Sequence, residues 1–126
     1  MRHSFTLMEL MMVVVILGIM AIFSLPRFGK AYNRSLARSA IANMTMILSA
    51  NEMFRLRTGA NVTASNAGIL NNINITLELH IIANGVVYSC NDSGICSATG
   101  TGFTVTGTLA NPIDSTNPAC SGLACP

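Results

Sequence analysis

The chain has 126 residues, enough for one domain, with 51% hydrophobic residues, 10% charged residues and a formal net charge of +2. That composition is far from a disordered one, which is charged and poor in aliphatics. It also holds no basic run: Arg34 and Arg38, a helical turn apart, read as a solvated helix face, so no dedicated nucleic-acid site is expected.

Residues 5–25, FTLMELMMVVVILGIMAIFSL, form an apolar stretch of 21 residues interrupted by one acid, Glu9. As a helix it is about 30 Å long, the thickness of a bilayer's hydrocarbon. It is apolar all round, which favours a membrane span or a buried filament core over a surface amphipathic helix. Pro26 lacks a backbone donor and is expected to kink the helix without ending it.

From 27 to 58 the pattern stays helical but becomes amphipathic. Leu36, Ala40, Met44, Ile47, Leu48 and Phe54 make one apolar stripe, with Arg34, Arg38, Asn43 and Glu52 off it. Thr58-Gly59 is a stop signal, and Arg55 and Arg57 lie in the last turn, where cations suit the helix dipole. A helix from Phe5 to Arg57 is about 80 Å long. The remaining residues cannot bury it, so half of it must meet lipid or other subunits.

After Gly59 the period changes. Residues 60–75 are Asn-rich and loop-like, with a short helix as the alternative, and Ile73, Ile75, Leu77 and Leu79 alternate with polar residues as a strand does, with Ile81 and Ile82 as an extension. Asn84-Gly85 is a turn dipeptide. Strands are predicted at Val86–Cys90, at Ile95–Thr99 after the turn Asn91–Gly94, and around Phe103, Val105 and Leu109. The tail from Asn111 to Pro126 reads as an irregular loop. The expected class is α+β, a long N-terminal helix packed through its amphipathic half on a small antiparallel β-meander in the 59–126 region.

The four cysteines, Cys90, Cys96, Cys120 and Cys125, fall in the last third with C-x5-C and C-x4-C spacings. Zinc knuckles prefer C-x2-C, and His3 and His80 lie elsewhere. An even count in a small Gly/Ser/Thr-rich region favours disulfides and an oxidising compartment. Of the three pairings, 90–96 and 120–125 are favoured, because the turn at 91–94 sets the first pair opposite each other and the second flanks a short loop. Crossing pairs that staple the tail to the hairpin are the alternative. Asp92 and Asp114 read as turn residues and not calcium ligands, and His80 has no catalytic neighbours. Neither metal, cofactor nor enzymatic activity is expected. The N-x-S/T sequons at Asn33, Asn43, Asn61, Asn74 and Asn91 reflect the abundance of asparagine.

The run S-FTLMEL-MMVVVILGIMAIFSLP resembles the class III signal of the type IV pilin and pseudopilin family, of the type IVa kind. Phe5 after the cut, Glu9 at the fifth mature position, Gly18 and Pro26 all match at the right spacings. The resemblance covers the leader and residues 5–57. It implies a leader of residues 1–4 removed between Ser4 and Phe5 by a prepilin peptidase, which also N-methylates Phe5. It implies that Glu9 pairs with the Phe5 amine of a neighbouring subunit, that Gly18 and Pro26 shape the helix, and that an assembly platform and ATPase drive polymerisation from the inner membrane into an extracellular pilus or periplasmic pseudopilus. The family usually has Gly before the cut, where this chain has Ser4.

The chemistry of Glu9 stands beside this. A carboxylate inside an apolar helix costs about 3 kcal/mol at the bilayer centre and expects a partner. No Lys or Arg lies three or four residues on. The expected function is therefore a structural pilus subunit forming a helical homopolymer. The alternatives are a minor pilin or type II secretion pseudopilin, and, in another class, a non-polymerising membrane-anchored or secreted binding module. A general signal peptidase needs small residues at −3 and −1, and residues 20–26, MAIFSLP, offer no good site.

Overall fold

The structure, a computed structural model, describes residues 6–111 and 113–126, those at 24–27 by backbone alone. The expected cleavage and methylation position, Ser4 and Phe5, and the side chain of Pro26 at the expected kink lie outside the described residues. The chain divides into two compact units, Met1–Tyr32 and Asn33–Pro126. Helix α1, Leu7–Thr58, runs through both.

In the first unit the described residues are helical from Leu7, and Gly18 lies inside the helix without breaking it. Thr6 opens it: the Glu9 N–H is 3.1 Å from the Thr6 carbonyl oxygen and 3.3 Å from Thr6 Oγ1, which satisfies a donor that a helix start leaves unpaired.

The second unit packs the later half of α1 on two short helices and a sheet. α2 is Ala64–Ala67 and α3 is Leu70–Thr76. The strands are β1 Val87–Cys90, β2 Ile95–Gly100, β3 Phe103–Thr108 and β4 Ala119–Ser121. They pair antiparallel in chain order, β1-β2-β3-β4. Register places Tyr88, Ala98 and Val105 side by side on the buried face, while Ser89 and Ser97 meet on the outer face, their hydroxyls 3.2 Å apart. The α+β class is as expected.

Ala37, Ala40, Met44, Ile47 and Leu48 are the buried stripe of α1, with Leu36 and Phe54 partly buried beside it. Fully burying side chains of the size of Met44 and Ile47 contributes roughly 1.5–3 kcal/mol each. Gly107, in the interior of β3, sets how closely helix and sheet approach. A methyl group there would lie 3.1 Å from both Leu48 Cδ atoms and from Met44 Cγ, so only hydrogen fits without displacement.

Two expectations are corrected. The alternating segment at 73–79 is not a strand: residues 70–76 are helix α3, and Ile73 and Leu77, four apart, are buried while Ile75 is exposed. The helical face wins because Asn74 closes the turn that follows, accepting from Ile81 N–H at 3.1 Å and donating to the Ile81 carbonyl at 2.9 Å. The tail is not wholly irregular, since β4 adds a fourth strand through Thr104↔Ser121, Val105↔Cys120 and Thr106↔Ala119.

Candidate functional site

Every described residue from Thr6 to Phe23 is exposed. Leu7 and Met8 are each 80% accessible, and Val13, Ile16 and Ile19 remain about half accessible. In a soluble monomer such a surface is untenable, because contiguous apolar patches beyond a few hundred Å² mark protein or membrane contacts. Among the described residues no single helix is long and apolar enough to cross a membrane, whereas Leu7–Phe23 and Phe28–Thr58 taken together pass on length and composition.

Glu9 sits in this surface. With Met8, Met11, Met12, Val15 and Ile16 it lines a shallow groove on the helix. Among the described residues no Lys or Arg pairs with it. Its place in the first turn of α1 suits an acid, since the helix N-terminus carries partial positive charge. Thr6 carries no apolar or charged signal in the sequence, yet Thr6-x-x-Glu9 has the spacing of a capping box. Gly18 has open space around it: an added Cβ would meet nothing within 4 Å. Among the described residues no side chain requires glycine there.

The second unit carries the remaining predicted residues. Cys90 and Cys96 are bonded to each other across β1 and β2, opposite in register, with Cα atoms 3.9 Å apart. Cys120 and Cys125 are bonded with Cα atoms 5.9 Å apart, closing the loop after β4. The 90–96 and 120–125 pairing is the one the spacing favours, and the crossing pairs are not formed. The tail is held to the sheet by β4 and by Asn117 instead. The Asn117 side chain accepts from Thr108 N–H at 2.9 Å and donates to the carbonyls of Thr108 and Asn111 at 3.0 and 3.1 Å.

Asp114 and Asp92 are turn residues, as expected. Asp114 Oδ1 accepts from Thr116 Oγ1, Thr116 N–H and Asn117 N–H, and the Thr116 bonds above all hold its carboxyl below the usual range. Asp92 Oδ1 accepts from Ala64 N–H at 2.8 Å, joining the β1–β2 turn to the start of α2. Tyr88 is buried under the sheet. Burial pushes its phenol up, against the opposing effect of the Asn43 amide 2.9 Å from its hydroxyl. Among the described residues no group of His, Cys, Asp and Glu could hold a metal ion. The sequon side chains at Asn43, Asn61 and Asn74 are engaged in hydrogen bonds within the head.

No family model, curated protein or solved structure matches the chain.

Proposed function

We propose that this chain is a filament subunit of the type IV pilin kind, which polymerises through the apolar half of α1. The observation that carries the reading is the unbroken exposure of the apolar helix up to Phe23, with one acid in it, while the core of the second unit is built from residues 37–124 alone. Burial against lipid before assembly and against copies afterwards removes that surface from water. Glycine at 18, with open space beside it among the described residues, suits the close approach of another helix. Two disulfides favour a head that lives outside the reducing cytoplasm.

In this reading a prepilin peptidase cuts between Ser4 and Phe5 and N-methylates Phe5, and the freed amine is the cation that Glu9 of a neighbour meets. An assembly platform and its ATPase supply the work. The inner membrane holds the subunit before assembly, and the product is a pilus or, for a pseudopilin, a periplasmic pseudopilus.

The test is mass spectrometry of the first peptide of the mature protein, together with electron microscopy of sheared surface filaments. The expected result is N-methylated Phe5 and filaments that react with antibody to the head. An uncut Met1 without filaments supports a membrane anchor instead. An N-terminus after Leu25 supports a secreted module and removes the pilin reading.

A further inference from the structure

Methionine is concentrated where α1 begins. Met8, Met11 and Met12 are all exposed, at 80%, 62% and 69%. Met11 and Met12 stand three and four residues on from Met8, so both are its neighbours on the helix surface, with Cβ atoms about 5–6 Å apart. The three line one groove together with Glu9. Each thioether ends a flexible, unbranched side chain, so three sulfurs can turn to one point over the groove while the backbone stays still. The other described methionines have no such grouping. Met44 is buried in the head. Met46 and Met53 are exposed but two helical turns apart, about 10 Å along the axis, too far to share an ion. Met20 lies more than two turns beyond Met12.

The donor type selects the guest. A thioether is neutral and soft. Calcium and magnesium take oxygen ligands, and zinc takes thiolate, imidazole or carboxylate. Sets of that kind are absent among the described residues, and all four cysteines are committed to disulfides. Methionine sulfur selects Cu(I).

Charge points the same way. The helix start carries partial positive charge and opposes a bound cation. Glu9 offsets it from within the same groove, and among the described residues neither ion pair involves it. One carboxylate with one monovalent ion makes a neutral site. Neutrality matters on an apolar surface, where net charge is costly to hold. A divalent ion would leave the site charged.

We infer that Met8, Met11 and Met12 bind one Cu(I) ion through their thioether sulfurs, with the Glu9 carboxylate as its counter-charge. The site belongs to a single chain and does not rest on the filament reading.

The experiment titrates the detergent-solubilised full chain, labelled at its methionine methyl groups, with silver nitrate. Ag(I) has the charge and the sulfur preference of Cu(I) and needs no reductant. The expected result is movement of the Met8, Met11 and Met12 methyl signals, saturating together at one ion per chain, with the other described methionines unmoved. Cu(I), held reduced by ascorbate, is expected to move the same three signals. Met8→Leu, Met11→Leu and Met12→Leu combined keep the bulk of the side chains and should abolish binding, whereas Met46→Leu with Met53→Leu should retain it. The Met44 signal reports in each variant that the head core is intact. Glu9→Gln should weaken binding about tenfold or more, as loss of a supporting carboxylate does at metal sites. No shifts, shifts shared equally with Met46 and Met53, binding that survives the triple replacement, or silver shifts that Cu(I) does not reproduce each overturn the site. Unchanged affinity in Glu9→Gln overturns the role given to the carboxylate.

Discussion

The amide of Asn51 donates to Asn61 Oδ1 at 2.9 Å while its own oxygen accepts from Val62 N–H at 3.0 Å. Asn51 is fully buried on the sheet-facing side of α1, so this one side chain fastens the loop after the helix back onto it. Asn51→Leu keeps the volume and strands the Val62 N–H and the Asn61 oxygen. The expected loss of head stability is about 1–3 kcal/mol, read as a lowered denaturation midpoint of the detergent-solubilised full chain. An unchanged midpoint contradicts the fastening role.

Gly107 gives a prediction of the opposite kind, from lack of space. Gly107→Val places carbon against Leu48 and Met44 where even a single methyl would sit 3.1 Å away. Overpacking of a filled core costs roughly 1–3 kcal/mol. The measurement is again the denaturation midpoint, with Gly107→Ala expected between wild type and Gly107→Val.

These two residues also mark where the sequence was legible. The helix to Thr58, the three strands from Val87 to Thr108 and the disulfide pairing follow from apolar period, turn dipeptides and short cysteine spacings. Asn51 was illegible, because a polar residue in an apolar stripe shows no partner until the loop returns. At 70–77 the alternation of Ile73, Ile75 and Leu77 hid the spacing Leu70-Ile73-Leu77, which is helical and places Ile73 and Leu77 in the core. β4 has no apolar alternation at all: it is a strand because Val105 and its neighbours offer it a backbone edge. Of the candidate site, Glu9 stands out by residue type alone and Gly18 only through the resemblance of the motif, whereas the role of Thr6 needs the geometry of the helix start.

The tail pair predicts a local effect. Replacing both Cys120 and Cys125 by Ser releases a loop of short span, for which the loop-entropy model gives about 2 kcal/mol. Because β4 and Asn117 hold the tail independently of this bond, the Cys90–Cys96 bond should still form. Peptide mapping without reductant is the check, and loss or reshuffling of 90–96 in the double variant contradicts it.

Asp114 predicts a pH dependence. Its carboxyl lies below the ordinary value of 3.8 in the folded chain. Its contribution is therefore present above the unfolded value and is lost as pH falls through the lower, folded one. Asp114→Asn should lower the thermal midpoint above the carboxylate range and have progressively less effect in acid below it. Equal effects at both ends would show that the charge is not what the Thr116 and Asn117 bonds hold.

The central claim is that the exposed apolar helix is an assembly surface whose one charge governs docking. In low dielectric a charge pair weighs far more than in water, and an unpaired carboxylate opposes burial. Glu9→Ala and Glu9→Gln leave the head and both disulfides untouched, and Gln keeps the shape while removing the ion. The measurement is the yield of sheared surface filaments beside total membrane-bound subunit, both by immunoblot, in cells without wild-type subunit. The expected result is normal subunit in the membrane with filaments abolished or sharply reduced in both variants, and normal filament yield in both would contradict the account.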